Sequence, residues 1–251
     1  MKIITAYNFK GGTGKTTSNV EIAMLLAMSN KKVAFVDLDP QGNGSFNLGN
    51  EMTDNNMKAY IEGKILLSEV KQKLNNYLDL YPTNPKSKLD EVSDTVLAHK
   101  PFFFERNLLK DLKNENYDFV IIDLSPKLDR MNRMILGIIH EVLITMEAEI
   151  CSYQGLITLE DELKVLAKDI SIYENIDCNK IIITKANNSF NTHKKMIADI
   201  KEENTNYNIF TVPQCSIIQD LRKLKKTSLE SSKASKITEV YLTITNTLIG
   251  A

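Results

Sequence analysis

Short apolar runs alternate along this chain with longer stretches in which apolar residues recur every three or four positions. The short runs, at 2–8, 33–37, 78–81, 118–123, 141–145, 180–184 and 208–212, read as β-strands. Phe119-Val120-Ile121-Ile122-Asp123 and Lys180-Ile181-Ile182-Ile183-Thr184 are apolar at consecutive positions, as strands covered on both faces are. Helical spacing predicts helices near 16–29, 64–75, 86–98, 102–114, 127–138, 153–173, 190–203, 216–226 and 233–249. Strand and helix in alternation imply an α/β fold: one doubly wound, mostly parallel sheet with helices on both faces. No Ser/Gly or Pro tract interrupts the 251 residues, so 1–251 is expected to form a single domain.

Composition narrows the function classes. A net charge of −1 argues against an obligate, strongly basic nucleic-acid binder but leaves local patches open. Cys151, Cys178 and Cys215 are far apart and lack metal-ligand spacing, which suits reduced thiols in a cytosol. His99, His140 and His193 have no acid or cysteine at ligand spacing. Met24, Met28, Met131 and Met134 fall at helical spacing and read as packing. Lys2 leads directly into a strand, so no signal peptide is expected, and no apolar stretch reaches the roughly 18 residues of a membrane span. A cytoplasmic protein is the expectation.

The chemistry concentrates at Lys10-Gly11-Gly12-Thr13-Gly14-Lys15-Thr16-Thr17, between the first strand and the first helix. Strand, glycine-rich turn and helix are the context of a phosphate-binding loop. Glycines let backbone N–H groups curl around phosphate oxygens, and the helix directs its positive end at the same anion. Lys15 is placed to reach the β/γ-phosphates, and the Thr16 hydroxyl to ligate Mg²⁺. Phe9 stands where the common Gly-x4-Gly-Lys-Thr pattern has its first glycine. A second lysine, Lys10, follows it instead, which makes this a deviant form of the loop.

Three acids stand at the carboxyl ends of expected strands, the edge where ligands sit in open α/β sheets. Asp37 and Asp39 end the second strand, and alternation puts both on one side with Leu38 opposite. Two acids beside a phosphate loop can hold Mg²⁺ through water and orient an attacking water. Asp39-Pro40 would also suit the N-cap of a following helix. Asp123 closes the five-residue apolar run, where a water-mediated Mg²⁺ contact would compensate its charge.

Taken together, Lys10-Gly-Gly-x-Gly-Lys-Thr, then Val36-Asp37-Leu38-Asp39-Pro40-Gln41-Gly42-Asn43, then Val120-Ile121-Ile122-Asp123, resemble the ParA/MinD group of deviant Walker-A ATPases. The Asp-x-Asp-Pro-Gln-Gly-Asn run and the length most resemble ParA, the DNA-segregation ATPase. The resemblance implies a P-loop NTPase fold of the SIMIBI type and hydrolysis of ATP with Mg²⁺ as cofactor. It implies that Asp39 positions the hydrolytic water and that Lys10 reaches across a two-fold axis to the partner subunit's phosphates. ATP between two facing subunits would then close a homodimer. Adenine is expected between Thr184-Lys185-Ala186 and Val212-Pro213-Gln214. A ParB-type centromere-binding protein is the implied partner, stimulating hydrolysis and release.

For DNA, the candidates are Arg222, Lys223, Lys225 and Lys226, with Lys233 and Lys236 beyond them and Lys194-Lys195 on an earlier helix. A few lysines on one face suffice for weak, salt-sensitive, sequence-independent binding, which with the resemblance implies nucleoid association. The chain starts on its first strand, so the N-terminal helix-turn-helix of some family members is not expected. The alternative is a MinD-like, membrane-associated positioning ATPase. That role needs a basic amphipathic C-terminal helix, whereas Ile237–Ile249 carries only Glu239 as charge. Its apolar positions 237, 240, 241, 244 and 248 suit docking on the domain, so no membrane partner is expected.

Overall fold

In the computed structural model the residues described are 1–50, 52–147, 158–165, 176–187, 189–224, 226 and 228–250, without the side chains of 219, 222 and 223. Among the described residues eight strands form one sheet: β1 (Lys2–Tyr7), β2 (Val33–Asp37), β3 (Gln72–Lys73), β4 (Leu78–Tyr81), β5 (Phe119–Asp123), β6 (Glu141–Glu147), β7 (Asp177–Ala186) and β8 (Asn208–Pro213), in the spatial order β3-β4-β2-β5-β1-β6-β7-β8. Every pairing is parallel except β3 with β4. The helices are α1 (Lys15–Met28), α2 (Asn43–Asn47), α3 (Met57–Glu62), α4 (Leu67–Val70), α5 (Val92–Thr95), α6 (Leu109–Asn114), α7 (Arg130–Leu136), α8 (158–165), α9 (Asn191–Glu203), α10 (Ile217–Lys223) and α11 (Ser235–Ile249).

Period-2 alternation divides the core into two layers. Ile3 and Tyr7 of β1, with Ala34 and Val36 of β2, face a cluster completed by Ile61, Leu112, Ile135, Leu159 and Ile197. Ile4, Ala6, Val33 and Phe35 face the opposite cluster, completed by Ile22, Leu26, Ile237, Tyr241 and Ile244 of α1 and α11. Both faces are therefore dry, which is why the central strands are apolar at consecutive positions. Parallel strands bring the carboxyl ends of β1, β2, β5, β6, β7 and β8 to one edge.

All seven expected strands are present; the departures lie elsewhere. The helix expected at 64–75 shrinks to α4, because Gln72 and Lys73 pair with Leu80 and Asp79 as an antiparallel edge strand. That expected at 86–98 breaks into short turns around Lys88, whose φ of +55° interrupts a helix. The helix expected at 153–173 is seen only over 158–165, and the rest lies outside the described residues. Two helices go unanticipated. α3 has a legible signal in Asn56, whose side chain accepts from the Lys58 N–H, and in Gly63 at φ +80°. α2 is too short and glycine-interrupted to show any periodicity.

Candidate functional site: a phosphate loop ringed by carboxylates

Residues 8–14 turn from β1 into α1, with Gly12 at φ +81° and Gly14 at φ +88°. Side chains from two strands, β6 and β7, and from Asn8 just after β1 hold the loop. Asn8 Nδ2 donates to the Thr145 carbonyl at 2.6 Å, and Asn8 Oδ1 accepts from the Lys10 N–H at 2.9 Å. Thr13 Oγ1 meets Thr145 Oγ1 at 3.0 Å, while Thr184 Oγ1 donates to the Thr13 carbonyl at 2.9 Å. Sequence reasoning missed the tethers Asn8 and Thr145, since single polar residues in apolar strands carry no motif. A Cβ at Gly14 would lie 2.9 Å from Thr184 Cγ2, so this position needs glycine for its φ and for space. Gly14→Ala is expected to disorder the loop and weaken nucleotide binding by about tenfold or more, read by nucleotide titration together with a thermal melt.

Gly11 and Gly12 are exposed at the crest, and Thr16 and Thr17 are half-buried in the first turn of α1. Lys15 is 6% exposed, and its Nζ donates to the Lys10 carbonyl at 2.9 Å. Burial lowers the ammonium's pKa, and the charges of Asp123 and Asp39 oppose that shift. Lys10 itself is half-buried at the start of the turn.

The three acids play unequal parts. β2 ends at Asp37; Leu38 beyond it packs in the layer of Val36, and the Asp39 N–H returns to the Asp37 carboxylate. Asp37 is fully buried; its Oδ2 accepts from the N–H and the Oγ of Ser45, both at 2.6 Å, and its Oδ1 from the Asp39 N–H at 3.1 Å. Its lone pairs are occupied in shaping the turn into α2. Burial, then the nearby Asp123, raise its pKa well above the usual carboxylate range. Asp39 Oδ1 accepts from the Gln41 N–H at 2.9 Å, so it closes a local turn; the residue at the N-cap of α2 is Gly42.

Asp123 ends β5 in register with Asp37. Its Oδ1 accepts from Asn19 Nδ2 at 2.8 Å, while its Oδ2 is buried without a hydrogen-bond partner among the described residues. Burial pushes its carboxyl up to about 6, against the lowering effect of hydrogen bonds from Asn19 and Thr16. A buried, unpartnered carboxylate oxygen next to the Thr16 hydroxyl is a place where a hydrated cation would satisfy an otherwise costly group. The donor set Thr16, Asp39 and Asp123 is all oxygen, as Mg²⁺ requires, and fits such an ion. Gly44 keeps the approach open: a Cβ there would meet the Phe35 ring at 2.7 Å and Asp123 Oδ2 at 3.1 Å.

The expected adenine segments are brought together. Ala186 and Pro213 pair across β7 and β8, and the Gln214 N–H donates to the Ala186 carbonyl at 2.8 Å. Lys185 holds a left-handed backbone at φ +53°, and its Nζ pairs with Glu147 Oε1 at 2.5 Å close to Gly12. The basic candidates are split across the sheet. Lys194 and Lys195 are exposed on α9, whose Ile197 and Ile200 enter one core layer. Arg222 and Lys223 belong to α10, where Ile218 packs on the other layer; Lys226 is exposed, and Lys225 lies outside the described residues.

A doubly wound sheet with a Gly-rich strand-to-helix loop, an inward lysine and acids on the neighbouring strand ends defines a P-loop nucleotide-binding protein. A family model described as "AAA domain" (AAA_31) matches residues 1–178. Among relatives, the sporulation initiation inhibitor protein Soj of Bacillus subtilis is 27% identical, covering 80% of this chain and 79% of its own. The cell division protein PomZ of Myxococcus xanthus is 30% identical over 89% of this chain and 68% of its own. A putative plasmid partition protein of Borrelia burgdorferi, solved with AMPPNP, superposes with TM-score 0.77 at 25% identity over 97% of this chain and 99% of that one. An ATP complex of a Cyanothece McdA variant reaches TM-score 0.85 at 21% identity over 100% and 96%, which speaks to fold alone. The chain belongs to the AAA_31 family of P-loop ATPase domains, within its ParA-type group.

Proposed function

We propose that this chain is a DNA-partition ATPase, with residues 1–251 acting as one unit that binds ATP with Mg²⁺, dimerises on it and hydrolyses it. The observation that carries this is the pair of lysines on one loop. Lys15 is buried against the loop's own carbonyl, and Lys10 stands half-buried at the loop's start. Lys15 serves the β/γ-phosphates of its own nucleotide, together with the N–H groups of Gly11, Gly12, Thr13, Gly14, Thr16 and Thr17. Lys10 offers the second positive charge that the ATP facing it across a dimer needs. Mg²⁺, held by Thr16 and, through water, by Asp39 and Asp123, would supply charge neutralisation at the phosphates. Asp39, tied by its backbone to Asp37 and aimed by its own turn, orients the attacking water. Lys185 and Pro213 flank the adenine.

The ATP dimer then binds DNA without sequence preference through the basic run Arg222, Lys223, Lys225 and Lys226, with Lys194 and Lys195 as further contacts. A ParB-type centromere-binding protein triggers hydrolysis and release, and the protein resides in the cytoplasm on the nucleoid. The C-terminal helix favours DNA over a membrane surface: Ile237, Tyr241, Ile244 and Leu248 are buried against the domain, so its apolar stripe is already occupied. No described helix is long and apolar enough to cross a membrane.

A mobility shift on duplex DNA of arbitrary sequence, beside flotation on anionic vesicles, tests the reading. The shift should need ATP and fade steeply with salt, with no flotation under either condition. ATP-dependent flotation without a DNA shift would favour the membrane-positioning alternative.

A further inference from the structure

Glu21 is a buried carboxylate that the nucleotide chemistry does not use. It lies six positions after Lys15 on α1 and is 3% exposed. Ser228 donates to it twice: the backbone N–H reaches Oε1 at 2.9 Å, and Oγ reaches Oε2 at 2.7 Å. Thr238 Oγ1 in turn donates to Ser228 Oγ at 3.0 Å, extending the contact into α11. One turn earlier on the same face of α1, Ser18 Oγ meets Tyr241 Oη at 2.9 Å. The helix that begins in the phosphate loop is thus bonded by polar side chains, at two points, to the C-terminal segment.

The position of these two anchors in the sequence gives them a role. Ser228 comes two positions after the end of the basic run 222–226, and Lys233 and Lys236 lie between Ser228 and Tyr241. Only Thr227 lies between Lys226 and Ser228, a span of at most about 7 Å. We infer that Glu21 is a positioning residue that docks the segment 228–236, which follows the basic run in sequence, onto the loop helix, so that nucleotide in the loop sets the order of that segment. This rests on the partition reading for what the segment binds, but not for the coupling itself. A carboxylate taken out of water holds such a partner firmly, because its charge must keep its hydrogen bonds. When the loop closes on phosphates, α1 moves with it at Lys15 and Thr16, and Glu21 carries that displacement to Ser228. An apolar contact would let the two surfaces slide; paired hydrogen bonds to one carboxylate do not.

The test is hydrogen exchange of the 228–238 amides in the full chain, with and without ATP, for wild type and Glu21→Ala. ATP should slow exchange there by about fivefold or more in the wild type and leave the variant unchanged, while ATP affinity stays within about twofold. An equal ATP response in both proteins, or none in the wild type, overturns the coupling. If Glu21→Ala does not fold, Ser228→Ala removes only the hydroxyl and should weaken the ATP response in proportion, and an undiminished response overturns the proposal. A DNA mobility shift on the same samples separates the two claims. Protection that responds to ATP without any DNA shift contradicts the partition reading and leaves the coupling standing.

Discussion

Lys15→Ala is expected to abolish measurable ATP binding. In the structure the Lys15 ammonium is buried, donates to the Lys10 carbonyl and sits within reach of the charges of Asp123 and Asp39. It is therefore already desolvated, and nucleotide phosphates replace partners rather than water. Losing a charge-assisted contact in such a site costs on the order of 1.5–3 kcal/mol, or ten- to more than hundredfold in affinity. The neighbouring acids deepen the loss. Without Lys15, the phosphates approach Asp37, Asp39 and Asp123 with one positive charge fewer between them. Lys15→Gln keeps a donor without the charge and should fall between. Isothermal titration with ATP decides it, and wild-type affinity in either variant would show that this loop is not the phosphate site.

Asp39→Ala should bind ATP as the wild type does and fail to turn it over. The carboxylate accepts from the Gln41 N–H, a bond that closes a turn and does not cap a helix. A lost cap or turn bond lowers stability by about 1 kcal/mol and leaves chemistry intact. Loss of the group that orients water leaves the fold alone and slows the chemical step by roughly a hundredfold or more. Thermal melting and single-turnover hydrolysis on one preparation separate these outcomes. A variant that melts lower yet hydrolyses at the wild-type rate would reassign Asp39 to architecture.

The strands were the most legible part of this chain, because a sheet dry on both faces forces consecutive apolar residues and leaves little ambiguity of period. The loop was legible through its glycines. Their spacing reflects real requirements, such as the φ of +88° at Gly14 and its closeness to Thr184. What stayed hidden were groups whose role depends on distant partners. Ser45 occupies Asp37, Asn19 holds Asp123, and Glu21 meets a serine 207 positions away. None of these has a local signature.

In the proposed dimer, joining two copies through ATP falls to Lys10. Two facing triphosphates repel as water leaves the interface, and a lysine from each side offsets that charge. Lys10→Ala should therefore leave each monomer able to bind ATP with near wild-type affinity, because Lys15 and the loop N–H groups remain. The dimer, and with it any DNA binding, should vanish. The most direct measurement is multi-angle light scattering at saturating ATP, with occupancy fixed by nucleotide titration. Wild type at the mass of two chains and Lys10→Ala at the mass of one is the predicted result; a fully occupied Lys10→Ala protein that still dimerises would contradict it.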